Sequence, residues 1–181
     1  WKRFFDNSNL FVVMSRSHLN NTAVKYEDYA DLSSPKIIDY ESQEIENKSR
    51  IEYNFRENNI KFNVGLNLED ATYLNSTQRI LTSGDSIYTK LVETDLHFIK
   101  YGAFAQLSKT YLVDRLVTSI GFRMDGNSFT ENTTTPNFSP RLSLSYNLTG
   151  KSSLNANLGR YYQLPAYTIL GYGINNNFFN Q

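Results

Sequence analysis

Residues 137–166 read NFSPRLSLSYNLTGKSSLNANLGRYYQLPA. Two runs of alternating apolar and polar residues flank a short turn. In the first, Leu142, Leu144, Tyr146 and Leu148 share one face, and Arg141, Ser143, Ser145 and Asn147 share the other. Thr149, Gly150 and Lys151 supply the turn. In the second, Leu154, Ala156 and Leu158 oppose Asn155, Asn157 and Gly159. A period of two over this length is a strand signal, and the pair predicts an antiparallel hairpin.

The polar face decides between two architectures. A soluble sandwich turns that face to bulk water and fills it with Lys and Glu. Here it holds Ser, Asn, Gly and one Arg. Each run is about ten residues long, which matches a tilted strand crossing a bilayer. Leu suits lipid, and small polar side chains suit a crowded, wet lumen. One hairpin leaves both architectures open, so repetition along the chain has to choose.

Composition narrows the field. The 181 residues suffice for one domain with a sizeable core. The 18 basic and 18 acidic residues cancel, so no charge excess points to nucleic acid as a partner. The absence of Cys excludes disulfides and thiolate metal sites. His18 and His97 are far apart and lack ligand spacing, so surface or interface roles are expected and no metal site. Thirteen Tyr and twelve Phe fit both strands in general and the aromatic girdles of a membrane barrel. No run of about 18 apolar residues offers a transmembrane helix. The chain opens on Trp1 and ends in GINNNFFNQ (173–181), which reads as an internal piece of a longer polypeptide.

Further alternating runs follow the same rule. Ile51, Tyr53 and Phe55 oppose Glu52, Asn54 and Arg56, and a turn at 57–59 leads into Ile60, Phe62, Val64, Leu66 and Leu68. Tyr101, Ala103, Ala105 and Leu107 oppose Gly102, Phe104, Gln106 and Ser108, with Phe104 blurring which side is apolar. Ile120, Phe122 and Met124 lie opposite Ser119, Gly121, Arg123 and Asp125. Residues 10–17 form a weaker strand. Short links fall near 57–59, 111–114 and 149–151, and long polar segments near 18–43, 71–95, 126–135 and after 164. The long segments are expected to be loops. Short turns at one end and long loops at the other are how outer-membrane barrels are built. The expected fold is therefore all-β: an antiparallel meander of about seven strands, part of a larger transmembrane barrel.

The strings KYGAFAQLSK (100–109), DRLVTSIGFRMD (114–125), FSPRLSLSYNLTGKSSLNANLGRYYQLPAYTILGY (138–172) and, more loosely, ESQEIENKSRIEYNF (41–55) resemble the TonB-dependent outer-membrane receptors. Met124 stands where that family usually has Tyr. The resemblance implies a barrel of roughly 22 strands around an N-terminal plug. It implies energy from TonB and import of a scarce ligand such as an iron chelate, cobalamin or a glycan. A surface lipoprotein partner is compatible with it. The GRYYQLP string (159–165) is most like receptors with a carboxypeptidase-regulatory-like domain ahead of the plug. Residues 1–181 then read as one partial barrel domain, with plug and TonB box outside it. The resemblance carries no enzyme activity and no cofactor.

Arg123, Asp125 and Arg141 share the polar faces of neighbouring strands, and an Asp125–Arg141 ion pair is expected. They are candidates for facing the lumen or plug, either bracing the wall or touching ligand. Arg160, Tyr161, Tyr162 and Gln163 are candidates for the ligand mouth. Their planar groups could stack on a sugar or chelate, or form an interfacial girdle. Few charges are expected on the lumen side, which favours an importer over the main alternatives, a passive porin-like barrel and a soluble Tyr-rich β-domain that binds glycan or protein. No Ser/His/Asp set or metal cluster supports an enzyme.

Overall fold

The computed structural model describes residues 1–28, 32–83, 86–129 and 136–175. Among these residues eight strands run in chain order: β1 (Lys2–Phe4), β2 (Ser8–Tyr26), β3 (Lys36–Glu57), β4 (Ile60–Ser83), β5 (Ser86–Tyr111), β6 (Leu116–Asn127), β7 (Asn137–Thr149) and β8 (Ser152–Gly159). A helix, α1 (Tyr167–Asn175), follows. The strands form a single sheet in sequence order, a meander with no crossover. The count exceeds seven because the unpatterned first residues supply β1, paired through Lys2↔Phe11, Arg3↔Leu10 and Phe4↔Asn9.

Two expectations are corrected. Residues 18–26, 36–43, 71–83 and 86–95 are strand, not loop, so β2 to β5 run 19 to 26 residues. The segment after residue 164 is not all loop either, because it contains α1. Of the polar segment 126–135, Gly126 and Asn127 belong to β6, and 130–135 lie outside the described residues, as do 176–181 of the Asn-rich end.

The chain divides into two compact units. One holds residues 1–15, 48–69 and 99–163. Its strands lie in lateral rows. Leu107, Ile120, Leu142 and Leu158 stand side by side on one face, from β5 through β8. One residue further along, Gln106, Gly121, Arg141 and Gly159 form the matching row of the other face. On the interior strands β6 and β7 the apolar face is the uncovered one: Ile120 and Leu142 are 48% and 42% exposed, whereas polar-face Ser139 is 2% exposed. A contiguous apolar surface of this extent is foreign to water-soluble monomers.

The other unit holds residues 16–47, 70–98 and 164–181. Here burial still alternates, with Ala71, Tyr73, Asn75 and Thr77 buried on β4, and Thr94, Leu96 and Phe98 on β5. Helix α1 packs in this unit. Tyr167 meets Phe98 edge-on at 5.5 Å between ring centroids and Tyr73 at 6.2 Å, and its hydroxyl donates to Glu46. Gly171, four residues on and so on the same helix face, approaches Thr94. A Cβ at Gly171 would stand 2.6 Å from Thr94 Cγ2.

The β5–β6 turn holds Leu112, Val113 and Asp114 at φ of 56°, 52° and 65°. Left-handed backbone disfavours a β-branched residue, and Val113 is 95% exposed, so it has little packing to lose. Val113→Asn should therefore raise the unfolding free energy by roughly 1 kcal/mol, read by denaturant titration. Unchanged stability would mean the turn relaxes without cost.

Candidate functional site

The candidate site is the polar face of the first unit. Strand alternation builds it from even-numbered residues of β3 and β5 and odd-numbered residues of β4, β6, β7 and β8. Phe104 falls on this face, which settles the ambiguity of β5. Its ring lies against Gly65, where a Cβ would come within 2.5 Å of Phe104 Cζ. The Arg50 guanidinium covers the same ring at 4.7 Å from the centroid. Arg50 also donates to Glu52 at 2.7 and 3.0 Å.

An amide ladder crosses the strands beside this stack. Asn54 Nδ2 donates to Asn9 Oδ1 at 3.3 Å, and Asn63 Nδ2 donates to Asn54 and, at 2.5 Å, to Glu52. Further along the face, Glu69 pairs with Lys100 and lies 3.9 Å from Lys48. The buried side-chain oxygen of half-buried Asn67 has no donor among the described residues. A Cβ at Gly102 would meet that oxygen at 2.9 Å and Asp125 Oδ1 at 2.5 Å, so this glycine makes room for both.

The structure brings Arg123 and Asp125 together but not Asp125 and Arg141. Arg123 Nε and Nη2 donate to the two Asp125 oxygens at 2.6 and 2.7 Å. They are i, i+2 neighbours on one strand face. Register explains the correction: Asp125 sits opposite Asn137, whereas Arg141 sits opposite Gly121. Four residues of strand separate the two, about 13 Å. Arg141 instead lies over the Tyr161 ring at 4.7 Å. A double-mutant cycle should give Arg123 and Asp125 a coupling of about 0.5–1 kcal/mol and Asp125 and Arg141 none measurable. The reverse ranking would contradict the register.

β8 ends at Gly159, and the Arg160 amide makes a last bond to Pro140 O at 3.0 Å. Pairing therefore stops well before Pro165. Tyr161 folds back on Gly159, where a Cβ would come within 3.1 Å of its hydroxyl. Arg160 lies over the Tyr162 ring at 4.7 Å. Tyr161 and Tyr162 are exposed, and Gln163 continues the same irregular segment. Gly121 is roomier than Gly159: its nearest neighbours stand at 3.7–3.8 Å from a built Cβ.

The expected scarcity of charge on the polar face is corrected. Lys48, Arg50, Glu52, Arg56, Lys61, Glu69, Lys100, Arg123, Asp125 and Arg141 all fall on it by strand alternation. The Arg50–Glu52 and Arg123–Asp125 pairs share a spacing of i, i+2, the one signal that could have revealed them in the sequence. His97 forms a 2.9 Å contact with Asp70, and among the described residues no group of three His, Cys, Asp or Glu could hold a metal.

An uncovered apolar face backed by a charged, hydrogen-bonded one, on meandering antiparallel strands, defines wall of a transmembrane β-barrel. The sequence matches the family model described as "TonB dependent receptor-like, beta-barrel" over residues 3–181, and the chain belongs to that family. No curated protein matches it. Among solved structures it is similar to "Copper transporter OprC", with a TM-score of 0.67 and 14% sequence identity. That alignment covers 90% of this chain and 29% of the other, so the chain spans less than a third of its structural relative. At this identity the likeness is one of fold. The chain is part of a TonB-dependent receptor barrel in the bacterial outer membrane, with its apolar face to lipid.

Proposed function

We propose that this chain is one wall segment of a longer receptor that imports a scarce ligand across the outer membrane, with energy supplied through TonB. The family membership carries the reading. On it, the polar face lines the lumen, and Arg123, Asp125 and Arg141 face the lumen or the receptor's own plug. Arg160, Tyr161, Tyr162 and Gln163 belong to the ligand mouth, where ring and guanidinium planes suit a glycan or a chelate. The cargo belongs to the class of iron chelates, cobalamin or glycans, bound without chemistry. Copper is the cargo that the structural relative's name gives for that protein.

The test compares cells lacking the receptor with cells lacking TonB, each on limiting iron chelate, cobalamin or glycan. The proposal expects the same growth defect in both, restored by the receptor only where TonB is present. Receptor-dependent uptake that persists without TonB would replace the importer with a passive porin.

A further inference from the structure

We infer that a basic cavity on the polar face binds a small oxyanion carrying two or more carboxylate or phosphate groups. The cavity measures about 790 Å³ and is lined by Lys2, Arg50, Arg56, Lys61, Arg123 and Arg141, with no Asp or Glu among its lining residues. Its size suits a small-molecule pocket.

The charge is only partly neutralised. Arg50 and Arg123 have the carboxylates of Glu52 and Asp125. Arg141 and Lys2 rest instead on the rings of Tyr161 and Phe4, each at 4.7 Å. A ring face orients a cation without cancelling its charge. Arg56 and Lys61 flank the β3–β4 turn and have no carboxylate partner among the described residues. Four cations thus converge on one concave space, where their mutual repulsion is relieved by an anion. Asn54 and Asn63 of the amide ladder also line it, adding neutral hydrogen-bonding groups.

Shape and chemistry together select the ligand. Guanidinium forks match carboxylate and phosphate oxygens, and Lys61 adds a point charge. A singly charged anion would engage few of the cations. One with two or more charged groups spans them. The wall at Gly121 stays open, with nothing nearer than 3.7 Å to a built Cβ. The inference goes beyond the transport reading and stands without it, because it concerns binding by the purified receptor and needs no TonB.

The test is calorimetric titration of the purified full-length receptor with citrate, and separately with inorganic pyrophosphate, at low ionic strength. The expected result is saturable binding of at least one of them, weakened by added salt. Arg56→Gln, Lys61→Gln or Arg141→Gln should each weaken it about tenfold or more. In the unmodified receptor, the bound anion should protect Lys61 from acylation, read by peptide mass mapping, which keeps the test valid if a variant misfolds. Tighter citrate than pyrophosphate binding identifies carboxylate recognition, and the converse phosphate recognition. Absence of binding by both anions overturns the inference. So does binding that neither protects Lys61 nor responds to the variants. If neither anion binds and Lys61→Gln lowers the unfolding temperature, the cations hold carboxylates of a protein segment instead.

Discussion

Ile120→Arg should destabilise the folded receptor by about 2–4 kcal/mol, while Ser143→Arg should change it by less than about 1 kcal/mol. Both positions lie in the same part of the sheet. Ile120 stands in the apolar row between Leu107 and Leu142, and Ser143 lies opposite Ser119 on the polar face. The substituent is the same and only the face differs. In water both positions would accept Arg with similar ease, since Ile120 is already 48% exposed. In a bilayer the guanidinium at Ile120 must be desolvated or drag water and headgroups inward, which sets the larger cost. Denaturant titration in lipid vesicles reads both values. Equal, small effects would mean that the apolar face is not lipid-exposed.

Gly65→Val should be the most disruptive single change on the polar face. A Cβ at Gly65 would stand 2.5 Å from Phe104 Cζ and 2.7 Å from the carbonyl oxygen of Ile51. The ring can rotate away only by breaking its stack with Arg50. The carbonyl belongs to the backbone and has no such freedom. Overpacking of this kind costs about 1–3 kcal/mol, and the β-branch adds to it. Gly121→Ala is the contrasting control, expected to stay within roughly 0.5 kcal/mol because its neighbours are at ordinary contact distance. Adding Phe104→Ala to Gly65→Val should recover only part of the loss. Full recovery would show that the ring alone is responsible, and no loss at all would show that the strands shift freely.

The strands of the first unit were legible in the sequence because lipid enforces a hydropathy contrast between faces. Leu142, Leu144 and Leu158 against Ser143, Ser145 and Asn157 show the backbone period directly. In residues 71–77 the period is still present in burial, with Tyr73, Asn75 and Thr77 inside and Leu74 outside, but polar residues occupy both faces. Hydropathy then carries no period, and the strands look like loops. Helix α1 was hidden for a related reason. Its nine residues are Gly- and Tyr-rich, and Tyr167 and Gly171 are among those that pack it. The face shared by Arg123, Asp125 and Arg141 was readable from parity, but the pairing partner was not, because register decides it. The six basic residues of the cavity come from five strands, among them Lys2, Arg50 and Lys61, and no local motif joins them.

The central claim is that this sheet is barrel wall with one face in lipid. The chain contains no Cys, so single cysteines placed along β6 and β7 meet no competing thiol within it; any Cys elsewhere in the full-length receptor is replaced beforehand. Each would carry a spin label in the full-length receptor reconstituted in vesicles. Collision with oxygen, which partitions into lipid, is then compared with collision with a water-soluble nickel chelate. The account predicts strict alternation: Ile120, Phe122, Leu142 and Leu144 read as lipid, and Ser119, Gly121, Arg141 and Ser143 as water or protein interior. Two uniformly aqueous faces, or alternation in the opposite phase, would contradict it.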